Sequence, residues 1–209
     1  MSDRQKPLIS LRKKPKQARS NELMGVILEA AAQVLAKEGA QRFTTARVAE
    51  KAGVSVGSLY QYFPNKAAIL FRLQSDEWRQ TSQLLSGILA DVENPPLQRL
   101  RLLVRVFIRS ECDEAQMRVA LDDAAPLYRD APEAQAARSA ADGAFTMYLE
   151  ELLPAVPEAA RAVVGDLITT TLSSAGKSFS ESPRTEQEIE AFAAAMGEMF
   201  CAYLQSLGG

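Results

Sequence analysis

From about residue 20 onward, apolar residues return every third or fourth position, separated by charged and small polar ones. Met24, Ile27, Leu28, Ala31 and Leu35 share one face of a helix that starts near Ser20, and Gly39 is its expected stop. Thr44 is placed to cap a short helix carrying Val48, Ala49 and Ala52, which Gly53 ends. A third helix starts a few residues later and runs to about Phe63. Pro64 suits the first turn of a fourth, which carries Ile69, Leu70, Leu73 and Trp78 and reaches about Glu93. Asn94-Pro95-Pro96 is a break.

The same period continues beyond the break. Leu97, Leu100, Val104, Phe107 and Ile108 predict a helix to about Cys112, and residues 114–123 a shorter one, loosened near Pro126. Pro132 opens a longer helix carrying Ala136, Phe145, Tyr148, Leu149 and Leu152. Two more are expected over 158–179 and 186–207. Alternating β-branched runs are missing. The pattern predicts an all-α chain of about nine helices, a three-helix N-terminal domain followed by a helical bundle with short connections.

Charge divides the chain in two. The formal net charge of −2 is an average of opposite parts. Residues 1–72 hold 13 Lys and Arg against 5 Asp and Glu, a net of +8, and the remainder carries −10. A basic head on an acidic body suits a polyanion partner for the head alone. Arg4, Lys6, Arg12, Lys13, Lys14, Lys16 and Arg19 precede any apolar periodicity, so residues 1–19 read as a basic flexible arm. The expected division is then 1–19 arm, 20–80 head and 81–209 larger helical domain.

Several function classes fall away. The chain has no histidine, which removes imidazole as base or metal ligand. It has no Gly-rich phosphate loop, no metal-ligand cluster and no G-x-S-x-G elbow, so no enzyme, cofactor or metal site is expected. Cys112 and Cys201 lie far apart and form no disulfide framework, which together with the lack of a long apolar run or apolar leader points to a cytoplasmic protein off the membrane.

Phe43 to Leu70 reads FTTARVAEKAGVSVGSLYQYFPNKAAIL. Its spacing is that of a helix–turn–helix, with the motif at about 44–63. Ala49 is small where two helices cross, Gly53 can supply the φ > 0 of the turn, and Val48, Val54 and Leu59 fill the space between the helices. Val56, Gly57, Ser58, Tyr60 and Gln61 then face outward from the second helix, where a recognition helix meets base edges. Hydroxyls at Thr44, Thr45, Tyr60 and Tyr62, with Arg47 and Lys66, suit phosphate oxygens.

This segment resembles the DNA-binding domain of the TetR family of bacterial transcriptional regulators. The matching residues are Thr44-Thr45, Val48-Ala49, Ala52-Gly53-Val54-Ser55, Gly57-Ser58-Leu59-Tyr60, Tyr62-Phe63, Lys66 and Leu70. The resemblance covers roughly residues 20–80. It implies that Thr45, Arg47, Tyr60, Tyr62 and Lys66 hold phosphates or base edges and that Val56, Gly57 and Ser58 face the bases. Ala46 departs from the long basic side chain of some members, and Val56-Gly57 offers no side-chain hydrogen bond. Direct readout therefore falls to Arg47, Ser58, Tyr60 and Gln61, with methyl contact from Val56 to thymine. The basic arm gains weight as a minor-groove element for the same reason.

The resemblance also implies a homodimer on a palindromic operator, joined through the last two helices. Phe192, Met196, Met199, Phe200 and Tyr203 make one apolar face there, and Leu167, Thr170, Thr171, Ser174 and Ala175 another. It further implies a small-molecule effector in an apolar cavity. The candidate lining is Trp78, Leu85, Phe107, Met117, Leu121, Asp122, Tyr128, Phe145 and Tyr148, which fits a lipophilic ligand. The fourth helix would be the lever between ligand and head. The expected function is a ligand-responsive repressor. The alternative is a DNA-binding protein of this fold that is architectural or partner-regulated, without an inducer. Arg101, Arg105 and Arg109, at i, i+4 spacing, are expected to line a solvated face with acidic partners.

Overall fold

The computed structural model describes Ile9, residues 18–128 and residues 143–208. Among them lie nine α-helices, one 3₁₀ turn and no strand. In chain order the helices are α1 (Ala18–Arg42), α2 (Thr45–Ala52), α3 (Val56–Tyr60), α4 (Lys66–Leu89), α5 (Pro96–Asp113), α6 (Ala115–Ala124), α7 (Gly143–Leu152), α8 (Glu158–Ser180) and α9 (Glu186–Gly208). The 3₁₀ turn, Ala125–Leu127, follows α6 where Pro126 removes a backbone donor.

Differences from the sequence expectation are local and have causes. Gly39 (φ 74°) breaks the regular run of α1, so only a short turn continues to Arg42. Helix α3 stops at Tyr60 rather than Phe63. Helix α4 starts at Lys66, because the Asn65 carboxamide oxygen accepts from the Ala68 N–H at 2.9 Å and caps the helix, leaving Pro64 ahead of it. It ends at Leu89, four residues short of Glu93, in a turn through Asp91–Asn94. The start of the helix expected from Pro132 lies outside the described residues, and its second half is α7.

The chain forms two compact units, each with its own apolar core. The first is not contiguous: it comprises 1–78 and 116–139. Ile27, Ala31, Leu35, Phe43, Val48, Ala49, Leu59, Phe63, Ile69 and Leu70 are its centre, and Leu121 and Tyr128 join them from beyond α5. The Tyr128 ring lies 5.8 Å from that of Phe71, and its hydroxyl is 3.3 Å from both the Gln74 side-chain oxygen and the Leu121 carbonyl. Arg118 meets Glu77 at 2.9 Å, with both side chains largely buried. The head therefore includes α6, so a boundary at residue 80 does not describe it. Ile9 is only 3% exposed and belongs to this core. The expectation of a free arm through residue 19 thus fails at Ile9, and the other residues from 1 to 17 lie outside those described.

The second unit comprises 79–115 and 140–209. Leu100, Val104 and Ile108 of α5 pack with Tyr148 and Leu149 of α7, Ile168 and Leu172 of α8, and Ala193, Met196, Phe200 and Leu204 of α9. Gly176 lets α8 lie close on α5: a Cβ there would sit 3.1 Å from both Glu111 Cγ and Phe107 Cε1. Arg99 is 2% exposed. It donates to the Leu89 carbonyl at the end of α4 and to Glu151 of α7, and its guanidinium lies 5.5 Å from the Tyr148 ring centre. Tyr148 in turn donates to the Pro96 carbonyl at 2.9 Å, and burial pushes its phenol pKa up. On the outer face, Arg101 pairs with Glu198, Arg105 with Glu190, and Arg109 with Glu186 and Glu190. The arginine stripe has the acidic partners expected of it.

Candidate nucleic-acid interface

The site is built from α2, α3 and the start of α4. Thr44 caps α2, its hydroxyl accepting from the Arg47 N–H at 3.3 Å. Gly53 ends α2 in the left-handed region (φ 67°, ψ 29°), and its N–H returns to the Ala49 and Glu50 carbonyls. Two residues later Ser55 caps α3: its hydroxyl accepts from the Ser58 N–H at 3.0 Å and lies 2.8 Å from the Ser58 hydroxyl. Val48, Ala49 and Leu59 are buried between the helices, with Val54 packed against them. These contacts hold α3 by its inner side and leave the other side outward.

That outer side is open. Val56, Gly57, Tyr60 and Gln61 are exposed and Ser58 is half-buried. A Cβ on Gly57 would meet nothing nearer than Ser55 Oγ at 3.7 Å, so the fold itself leaves room for a side chain there. Thr45 at the start of α2 and Tyr60 at the end of α3 are joined hydroxyl to hydroxyl at 3.2 Å. Thr44 is exposed, and Thr45, Arg47 and Lys66 are half-buried. The Thr45–Tyr60 contact ties the start of α2 to the end of α3.

Tyr62 is different. It is 5% exposed and belongs to the head core, so its ring packs inward, unlike the rings and side chains on the outer side of α3. The period explains why: Leu59, Tyr62 and Phe63 fall on the inward face, and Tyr60 and Gln61 on the outward one. Sequence reasoning passed over Ser55 and Asn65, although Ser55-x-x-Ser58 and Asn65 before a helical run are cap spacings. It also passed over Glu38, whose carboxylate pairs with the Arg47 guanidinium. No local pattern links residues nine apart across a glycine break.

The nine candidate effector residues do not share one core. Leu121 and Tyr128 are buried in the head, with Met117 packed on them, and Asp122 is exposed. Leu85, Phe107, Phe145 and Tyr148 belong to the core of the second unit. Trp78 is half-buried at the end of the head segment. An open groove of about 520 Å³ lies elsewhere, along Leu102, Arg105, Val106, Arg109, Ser110, Asp113 and Glu114. Among the described residues no group of three or more acidic or thiol ligands could hold a metal ion, and no helix is long and apolar enough to cross a membrane.

Comparison with known proteins places the fold. Residues 27–73 match the family model described as bacterial regulatory proteins, tetR family. Residues 95–207, just over half of the chain, match the tetracyclin repressor-like C-terminal domain. The nucleoid occlusion factor SlmA of Vibrio campbellii is 37% identical over 83 residues, and that of Vibrio cholerae 40% over 85. Each alignment spans 39% of this chain and 42% of the relative, so the chain covers under half the length of these curated relatives.

The fold likeness is broader. A TetR-family regulator from Mesorhizobium loti superposes with a TM-score of 0.69 at 18% identity, over 90% of this chain and 98% of that one. The fatty acid degradation regulator FadR of Bacillus halodurans gives 0.67 at 16%, over 90% and 96%. NalD of Pseudomonas aeruginosa, a repressor of a multidrug efflux pump, gives 0.63 at 20%, over 88% and 96%. With a tetR-type head at residues 27–73 and a tetracyclin repressor-like domain at 95–207, the chain belongs to the TetR family of DNA-binding transcriptional regulators.

Proposed function

We propose that the chain is a repressor that binds a palindromic operator as a homodimer and is released by a small lipophilic effector. The observation that carries the DNA reading is the outer side of α3. Val56, Gly57, Tyr60 and Gln61 are exposed beside Ser58, and Gly57 has open space where most residues would carry a side chain. A groove floor can approach such a surface closely. Ser58, Tyr60 and Gln61 supply hydrogen-bonding groups for base edges, Val56 supplies a methyl for thymine, and Thr44, Thr45, Arg47 and Lys66 supply phosphate contacts. The seven basic residues that precede Ser20 in the sequence are proposed to add phosphate or minor-groove contacts to this surface.

Dimerisation is supported by stripes of small and apolar residues on α8 and α9 that are exposed among the described residues. Val163, Leu167, Thr170 and Ser174 are exposed at helical spacing on α8, and Ala191, Ala195, Met199 and Ala202 on α9. Val163 is 65% exposed and Met199 51%. A second copy of the same helix pair would cover both stripes as a four-helix bundle. Met196 and Phe200, expected on that face, pack in the chain's own core, and Phe192 stacks on Phe179 with ring centres 4.0 Å apart.

The effector is assigned to the second unit, among Leu85, Phe107, Phe145 and Tyr148. Helix α4 carries residues of both units and gives the covalent path to the head. A second reading, a DNA-binding protein of this fold that is architectural or partner-regulated without an inducer, draws on the match to the nucleoid occlusion factors. The test is selection from random duplex DNA by the full chain, repeated for Ser58→Ala and Gln61→Ala. The expected result is an enriched palindrome in which each variant relaxes one position per half-site. Enrichment of no sequence would overturn the operator reading. Long-chain acyl compounds that release the enriched duplex would favour the effector over the partner.

A further inference from the structure

The first turn of α2 contains a residue that helix physics does not favour. Arg47 sits three positions after the cap Thr44, where a capping box would carry Glu or Gln and where the helix dipole is positive. A cation there opposes the dipole, so its presence calls for an outside partner. In this structure the partner is internal. The Arg47 side chain is 40% exposed and turned back to the end of α1, where it donates to the Glu38 carboxylate. The same nitrogen lies 3.5 Å from the Arg42 carbonyl. Glu38, 28% exposed, precedes the break at Gly39, which brings the end of α1 against the start of α2.

We propose that Glu38 acts as an internal stand-in for a DNA phosphate and sets the DNA affinity of the head through Arg47. The inference rests on the reading that the head binds duplex DNA. A carboxylate in contact with the guanidinium neutralises it and brings a negative charge near any phosphate that Arg47 reaches. DNA must therefore compete with Glu38 for this cation. The pair satisfies Arg47 in the free protein and lowers the affinity of every site alike, because a phosphate contact carries no sequence information. It is a positioning and tuning device and reads no base.

Affinity of the full chain for mixed-sequence double-stranded DNA is measured across a salt series for wild type, Glu38→Gln, Glu38→Ser, Arg47→Ala and Glu38→Gln with Arg47→Ala. Glu38→Gln and Glu38→Ser are expected to bind roughly three- to tenfold tighter at low salt. Their salt slope should steepen by about 0.9, the value of one added phosphate contact. Both gains should vanish in the Arg47→Ala background, a coupling that a merely structural pair would not produce. Equal or weaker binding by the neutral variants would overturn the proposal, as would a gain that survives loss of Arg47. Failure of both neutral variants to fold would make the pair structural and overturn it too. Failure of the DNA reading is distinct: the wild type itself would then show no salt-dependent binding.

Discussion

Two tyrosines two positions apart have different environments. Tyr60 is 38% exposed and hydrogen-bonded to Thr45, whereas Tyr62 is 5% exposed in the head core. Tyr62→Ala is expected to cost about 3–5 kcal/mol of head stability, in the range of large aromatic truncations. Tyr60→Ala should leave the melting curve nearly unchanged and weaken DNA binding; a comparable loss of stability for both would contradict the assignment. Gly57 separates the same two properties. With open space at its Cβ position, Gly57→Ala should leave stability unchanged or raise it by up to about 1 kcal/mol, since alanine favours helix. DNA affinity, read on the same preparation, should fall. Residue types and spacing made Thr44, Gly53, Val56 and Gln61 legible from the sequence, because caps, turns and outward faces are local matters. Ile9 and Glu38 were not legible, because their partners are fixed by tertiary structure.

Helices were the most readable elements, and their ends the least. Asn65 moves the start of α4 past Pro64 by capping it, a side-chain choice that apolar period does not register. Helix α6 was found as a helix but not as part of the head, because Tyr128, Gln74, Arg118 and Glu77 meet only in three dimensions. On α9 a single apolar face was expected. The structure splits it, since an apolar stripe wide enough for two partners looks the same in sequence as one facing a single core. Close packing of α8 on α5 gives a prediction at this scale. Gly176→Ala gains about 1 kcal/mol of helix propensity but forces a methyl to 3.1 Å from Glu111 and Phe107. Overpacking costs typically about 1–3 kcal/mol, so the net effect should be destabilising. A rise in melting temperature would show that Glu111 and Phe107 yield freely.

At the scale of the whole molecule, charge is partitioned by task. The net positive charge lies in residues 1–72, and the net acidic remainder supplies the Glu residues that answer Arg101, Arg105 and Arg109. Hydrogen bonds from these arginines hold the Glu186, Glu190 and Glu198 carboxyls below their ordinary value of 4.5. Depressed carboxylate pKa values contribute stability that is present above the ordinary value and lost as pH falls through the lowered ones. The exposed setting makes the contribution small and sensitive to salt. Stability should thus decline on acidification below about pH 4.5. The decline should shrink when the three arginines are replaced by glutamine, and an identical acid profile in that variant would show that these ion pairs do not contribute to it. In the proposed homodimer, two such heads read one duplex together. Hydroxyl-radical footprinting of the full chain on its enriched duplex tests it most directly. Two protected patches on one face of the DNA, about 10 base pairs apart or a multiple of that, are expected. A single patch, or uniform protection, would contradict it.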